Sequence, residues 1–146
     1  MVLAKRNKGI IVSEYAERWP RDVFNLREKA NRIMPELKDL LKRPGVYVLY
    51  VDDRPYYIGK TDKSVYNRLH RHANNVGERY YRYWNYFSVF FVDSAKHLGD
   101  VEGILIAAIP RAANSATPKF DKMKLPRKFT NLLSRIHRIS IDKLKV

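Results

Sequence analysis

The chain has 146 residues, with 29 Lys and Arg against 15 Asp and Glu for a net charge of +14, and no cysteine. That length supports a hydrophobic core without covalent staples, and the missing thiols exclude disulfides and cysteine-ligated zinc. A charge of this size points to a polyanionic partner, nucleic acid first. No apolar run reaches the roughly 18 residues that suggest a membrane span. The basic start (Met1 to Arg6) leads into no apolar stretch of the signal-peptide kind. The expected location is therefore cytoplasmic or nucleoid-associated, with no membrane partner.

The charge is uneven. Residues 1–43 carry net +5, residues 44–118 net +2 and residues 119–146 net +7. A nearly balanced middle between basic flanks suits a chemical core held on a polyanion by its extensions. The chain accordingly divides into a basic helical N-terminal extension (1–43), a core (44–118) and a strongly basic C-terminal helical extension (119–146).

In chain order, residues 1–12 read as a disordered arm or at most an edge strand. Ser13, with Glu14 and Glu17 behind it, predicts a short capped helix ending at Pro20. Asp22 caps a second helix over about 23–34, whose stripe is Val23, Phe24, Leu26, Ala30 and Ile33. Pro35 breaks it or opens another, over about 36–42. These helices pack on the core, and their basic residues Arg27, Arg32, Lys38, Lys42 and Arg43 are candidates for clamping DNA.

Residues 45–60 are Gly-Val-Tyr-Val-Leu-Tyr-Val-Asp-Asp-Arg-Pro-Tyr-Tyr-Ile-Gly-Lys. Two runs rich in Val, Ile and Tyr flank a turn-forming cluster, the pattern of a β-hairpin with strands at about 46–51 and 56–59. Asp62 or Ser64 caps a helix over about 65–74, on which Arg68 and His72 stand four apart and share a face. Tyr80 to Trp84 interleaves aromatics with Arg; this stretch either stacks on unpaired bases or packs in the core, with Trp84 the core candidate. A third strand covers about 86–92 and a helix about 96–109, weakened by Gly99 and Gly103. A loop over 111–120 precedes a last helix at about 127–139. Its apolar face (Phe129, Leu132, Leu133, Ile136) either packs inward or pairs two copies, so the expected state is a monomer or weak homodimer. The order β-β-α-β-α describes an α+β domain with a small three-stranded, mostly antiparallel sheet, flanked by N- and C-terminal helices.

Phosphodiester hydrolysis needs an activated water, cover for phosphate charge and help for the leaving oxygen. Glu102 is a hard oxygen ligand suited to Mg²⁺ or Mn²⁺, and one carboxylate with waters is ordinary for Mg²⁺. Arg68 can grip a phosphate bidentately. Lys60, placed near Tyr47 or Tyr57, would favour a phenolate able to take a proton from water. His72 would orient water or a phosphate contact. Each has a plain competitor: strand tyrosines, a solvated arginine, a glutamate at a helix's wet edge. His70 and His72, two apart on a helix, face different ways and do not suggest a zinc pair.

The tripeptides Gly45-Val46-Tyr47 and Tyr57-Ile58-Gly59, with Lys60, Arg68, His72 and Glu102-Gly103-Ile104-Leu105-Ile106 following in order, resemble the GIY-YIG endonuclease family. The likeness spans about residues 44 to 118; Val46 in place of Ile is its main departure. It implies a divalent-metal-dependent endonuclease that hydrolyses DNA phosphodiester bonds, with a general-base Tyr (Tyr47 preferred to Tyr57), Arg68 stabilising the transition state, Glu102 as the single metal ligand and Asn114 as a downstream site residue. Arg71, Lys119, Lys122, Lys124, Arg127, Lys128, Arg135 and Arg138 are the candidate nucleic-acid contacts. The alternatives are a non-cleaving nucleic-acid-binding protein and an RNA-directed nuclease.

Overall fold

The computed structural model describes residues 9–25, 27–28, 32–33, 35–75, 77, 83–109 and 123–144. Four strands form one antiparallel sheet: β1 (Glu14–Pro20), β4 (Gly45–Val51), β5 (Arg54–Thr61) and β6 (Tyr86–Phe91), in the order β1-β6-β4-β5. Two-residue strands β2 (Arg27–Glu28) and β3 (Arg32–Ile33) pair separately. The helices are α1 (Pro35–Leu41), α2 (Val65–Asn74), α3 (Ala95–Ala108) and α4 (Arg127–Leu144). The expected α+β architecture holds, with one strand more in the main sheet than the sequence suggested, and with the β2–β3 pair inside the stretch expected to be helical.

That extra strand is a correction. Residues 14–20 are a strand on β6, not a helix, and Arg21–Asn25 is a single 3-10 turn where a longer helix was expected to begin. The strand alternation places Tyr15 opposite Phe90 and, after a bulge between Ala16 and Trp19, Trp19 opposite Phe87. Burying Ala16 and half of Trp19 against β6 outweighs the helical spacing of Glu14 and Glu17, which is only a surface pattern. Arg43, a candidate DNA clamp, acts as a staple within the protein. Its guanidinium reaches Glu14 (3.0 Å) and the Ser13 hydroxyl (2.8 Å) and lies 4.3 Å from the Phe91 ring centroid, fastening β1 to the sheet end.

The hairpin closes with the two-residue loop Asp52-Asp53, Asp52 adopting a left-handed φ of 53° that aspartate tolerates. Asn85 fixes that loop by exchanging two 2.8 Å bonds with Asp52. Strand period sorts the core into two layers. Tyr47, Leu49, Phe87, Val89 and Phe91 face Phe24, α1 and α2. Val46, Val48 and Ile58 face Leu98 and Ile106 of α3. The Ser64 hydroxyl caps α2 by accepting from the Asn67 N–H at 3.2 Å. At the other end of α2, Arg21 donates to the Ala73 carbonyl at 2.8 Å and packs on the buried Trp84, which is core as expected.

Candidate active site

β5 is an edge strand, and α2 and α3 flank it on opposite faces, so side chains from both faces meet around that edge. On the α2 face, the Tyr47 hydroxyl and His72 Nε2 share a 2.8 Å hydrogen bond, and the Tyr57 ring packs 6.2 Å from Tyr47 and 5.9 Å from His72. Tyr47 and His72 are buried, at 1% and 4% exposure, whereas Tyr57 is half-buried. The two tripeptides enclose this cluster for a steric reason. Gly59 lies directly across from Tyr47, and a Cβ there would overlap the tyrosine's Cζ and hydroxyl oxygen. A Cβ at Gly45 would stand 2.7 Å from the Phe90 carbonyl oxygen. Both glycines permit close approach and neither is needed for a turn.

Burial, together with the nearby Arg68 and Arg71 charges, lowers the His72 pKa to about 4. The imidazole is therefore neutral at pH 7. The two guanidinium groups that disfavour a cation there would attract a phosphate. Both are exposed, and with Thr61, Asp62, Ser64 and Asn67 they line a hollow of about 270 Å³ at the start of α2.

Lys60 is not where the sequence argument put it. Three residues on from Tyr57, it falls on the opposite face of β5, with Ile58. Its ammonium sits 3.3 Å from Glu102 Oε1 on α3, a carboxylate whose side chain is 15% exposed. Gly99, one turn earlier on α3, lies beside it: a Cβ there would be in ordinary contact, 3.8 Å from Lys60 Nζ. Lys60 also shares a hollow of about 350 Å³ with Arg68, Thr61, Leu98 and Gly99. Two groups result: Tyr47, Tyr57 and His72 on one face, Lys60 and Glu102 on the other. Arg68 lines both the hollow at the start of α2 and the one that holds Lys60.

Asn114, Lys119 and Lys122 lie outside the described residues, as do Tyr80, Tyr81 and Arg82. Lys124, Arg127, Lys128 and Arg135 are exposed on or just before α4, and Arg138 belongs to the same helix. Among the described residues, no three His, Asp or Glu side chains gather as a metal cluster. Glu102 as a single hard oxygen donor, already holding one cation at 3.3 Å, nevertheless fits a magnesium-type ion that keeps most of its waters.

Residues 43–98 match the family model of the GIY-YIG catalytic domain. This segment, a little over a third of the chain, is similar to a GIY-YIG catalytic domain. Within the matched segment lie both tripeptides, Lys60, Arg68 and His72; Glu102 lies just beyond it. Among solved structures, the N-terminal GIY-YIG endonuclease domain of UvrC from Thermotoga maritima bound to magnesium, its catalytic divalent cation, is 26% identical over 51% of this chain and 85% of that one, with a TM-score of 0.45. A point mutant of the same UvrC domain, bound to its catalytic divalent cation, is 25% identical over 52% and 87%, with a TM-score of 0.46. No curated protein matches the chain. The likeness over residues 43–98 is to a nuclease domain, whose substrate is nucleic acid.

Proposed function

We propose that the protein is a divalent-metal-dependent endonuclease that hydrolyses DNA phosphodiester bonds at the β5 edge. The observation that carries this reading is the groove in which Arg68 and Lys60 stand together, with Lys60 bound to Glu102 at 3.3 Å. Arg68 and Lys60 hold the scissile phosphate and offset charge as it builds on the non-bridging oxygens. Glu102 would hold a Mg²⁺ or Mn²⁺ ion, which when bound would polarise the phosphate and offset charge building on the oxygens.

The attacking water gives its proton to the oxygen of a tyrosine that has first lost its own proton to solvent, and solvent access favours Tyr57 over the buried Tyr47 in that phenolate role. The neutral His72, bonded to Tyr47, packs the pair against Tyr57 and fixes its ring. The new P–O bond forms from the water oxygen as the bridging P–O bond on the far side breaks. Asn114 remains a proposed site residue, and the α4 arginines and lysines proposed backbone contacts.

The test is nicking of supercoiled plasmid with Mg²⁺. Wild type should give nicked or linear product. Glu102→Gln and Arg68→Ala should each lower the rate by at least about a hundredfold, the scale of losing one transition-state contact. Product formation that survives Glu102→Gln overturns the metal assignment. Tight DNA binding without any metal-dependent product by wild type makes the protein a non-cleaving binder.

A further inference from the structure

The sheet face under α3 is only partly covered by that helix. α3 packs on β5 and β4, whereas the β6 and β1 half carries a run of aromatic side chains far apart in sequence. Register assembles them: Tyr15 is opposite Phe90, and Tyr50 is opposite Tyr86. Tyr15 and Phe90 are stacked at 6.3 Å with 15° between their planes, and Tyr15 is 67% exposed. The Arg18 guanidinium lies 5.9 Å from the ring centroids of both Tyr50 and Tyr86. Together Tyr15, Glu17, Arg18, Tyr50, Ser88 and Phe90 line a hollow of about 320 Å³, within the size range of small-ligand sites.

The backbone here is held at a cost. Arg18 has φ +51°, a left-handed conformation uncommon for arginine, at the bulge in β1. Its N–H donates to the Ser88 hydroxyl at 3.0 Å, and its side chain pairs with Asp53. The bulge thus turns a cation across two tyrosine rings, and strain retained at one spot is a pointer to use. Arg18 is balanced by Asp53, and Glu17 adds a negative charge, so a phosphate is a poor occupant. The exposed Tyr15 ring, beside half-buried aromatics and a paired guanidinium, suits the flat face of a base.

The hollow also has a fixed relation to the candidate active site. Tyr15, Phe90, Val46 and Lys60 form one row across the sheet, each opposite the next. Three strand spacings of about 4.8 Å put the β1 and β5 ends of that row roughly 14 Å apart. That is about four stacked nucleotides at ~3.4 Å each, and α3 between them makes four a lower bound. We propose that this hollow binds unpaired bases of the DNA substrate, stacked on Tyr15 and steadied by Arg18, so that the protein selects duplexes carrying a single-stranded tail. The proposal rests on the DNA-cutting reading above.

The test is fluorescence anisotropy with labelled DNA duplexes, blunt or bearing a thymidine overhang lengthened one nucleotide at a time. EDTA replaces metal so that nothing is cut. Wild type should bind the tailed duplex at least about fivefold more tightly than the blunt one, the effect of one stacked base, and the gain should appear only once the tail reaches about four nucleotides. Tyr15→Ala should bring the tailed-to-blunt ratio close to one, and Tyr15→Phe should restore it. Phe90→Leu, which keeps an apolar side chain on that strand, should lower the ratio as well. A wild-type ratio of one, or a ratio unchanged in Tyr15→Ala, overturns the proposal; so does a Tyr15→Ala protein that loses blunt and tailed binding equally. Wild type that cuts plasmid in a Glu102-dependent way yet shows no tail preference sinks this proposal alone. Wild type that binds no DNA sinks the nuclease reading with it.

Discussion

His72 ties the chemistry of the site to its stability. Its pKa falls from 6.5 unfolded to about 4 folded, through burial first and the Arg68 and Arg71 charges second. Between those values the unfolded chain binds the proton and the folded chain does not. The stability this linkage gives is therefore complete above about pH 6.5 and is lost as pH falls toward 4, by up to about 3 kcal/mol. Urea melts at pH 7, 6 and 5 check this when wild type is compared with His72→Gln, since other titrating groups cancel in the difference. The wild-type midpoint should fall more steeply with acid than that of the variant. Parallel lines for the two proteins would show that His72 is not the group responsible.

At the scale of elements, the hairpin depends on a cross-strand pair in which one partner has no side chain. The Tyr47 ring lies over Gly59, so Gly59→Ala must displace either the ring or a strand. Overpacking of this kind costs about 1–3 kcal/mol, read as a lower urea midpoint at unchanged slope. Cleavage should fall by more than the stability loss implies, because the displaced ring packs against Tyr57. The hairpin, α2 and α3 were legible in the sequence because turn residues, a cap and apolar spacing are local signals. β1 was not: its partner β6 is more than sixty residues away, and three charged residues in Glu14–Pro20 hide a strand whose outer edge faces water. The separation of Lys60 from the tyrosines was legible but missed. Residues 57 and 60 differ by an odd number, and in a strand that means opposite faces. The aromatic hollow was not legible, since Tyr15, Tyr50, Tyr86 and Phe90 become neighbours only when the strand register is known.

For the whole molecule, the net charge of +14 sets how binding responds to salt. If about six phosphates are contacted, log K should fall with log salt at a slope near −5. Replacing Arg127, Lys128 and Arg135 by Gln should make that slope shallower by up to about 3, while leaving the melting midpoint nearly unchanged, because all three are exposed. Anisotropy titrations across a sodium chloride series give both numbers, and an unaltered slope would remove α4 from the interface. The helix also presents Phe129, Leu132 and Ile136, each close to half exposed, so its apolar and basic residues interleave along one surface.

The sheet order has a consequence for the sequence of events in folding. The β4–β5 hairpin closes over a two-residue loop and can form in microseconds. β1, first in the chain, must wait for β6, to which Arg18 bonds across 70 positions. Nascent protein therefore holds its N-terminal strand unpaired until Phe91 has emerged, and β6 stays a bare edge until that strand docks. The groove at β5 lies at the other end of the sheet and is assembled from β4, β5, α2 and α3 without it. The staple from Arg43 to Glu14 and Ser13 then acts as a latch, closing late and slowing the release of the strand that shields β6.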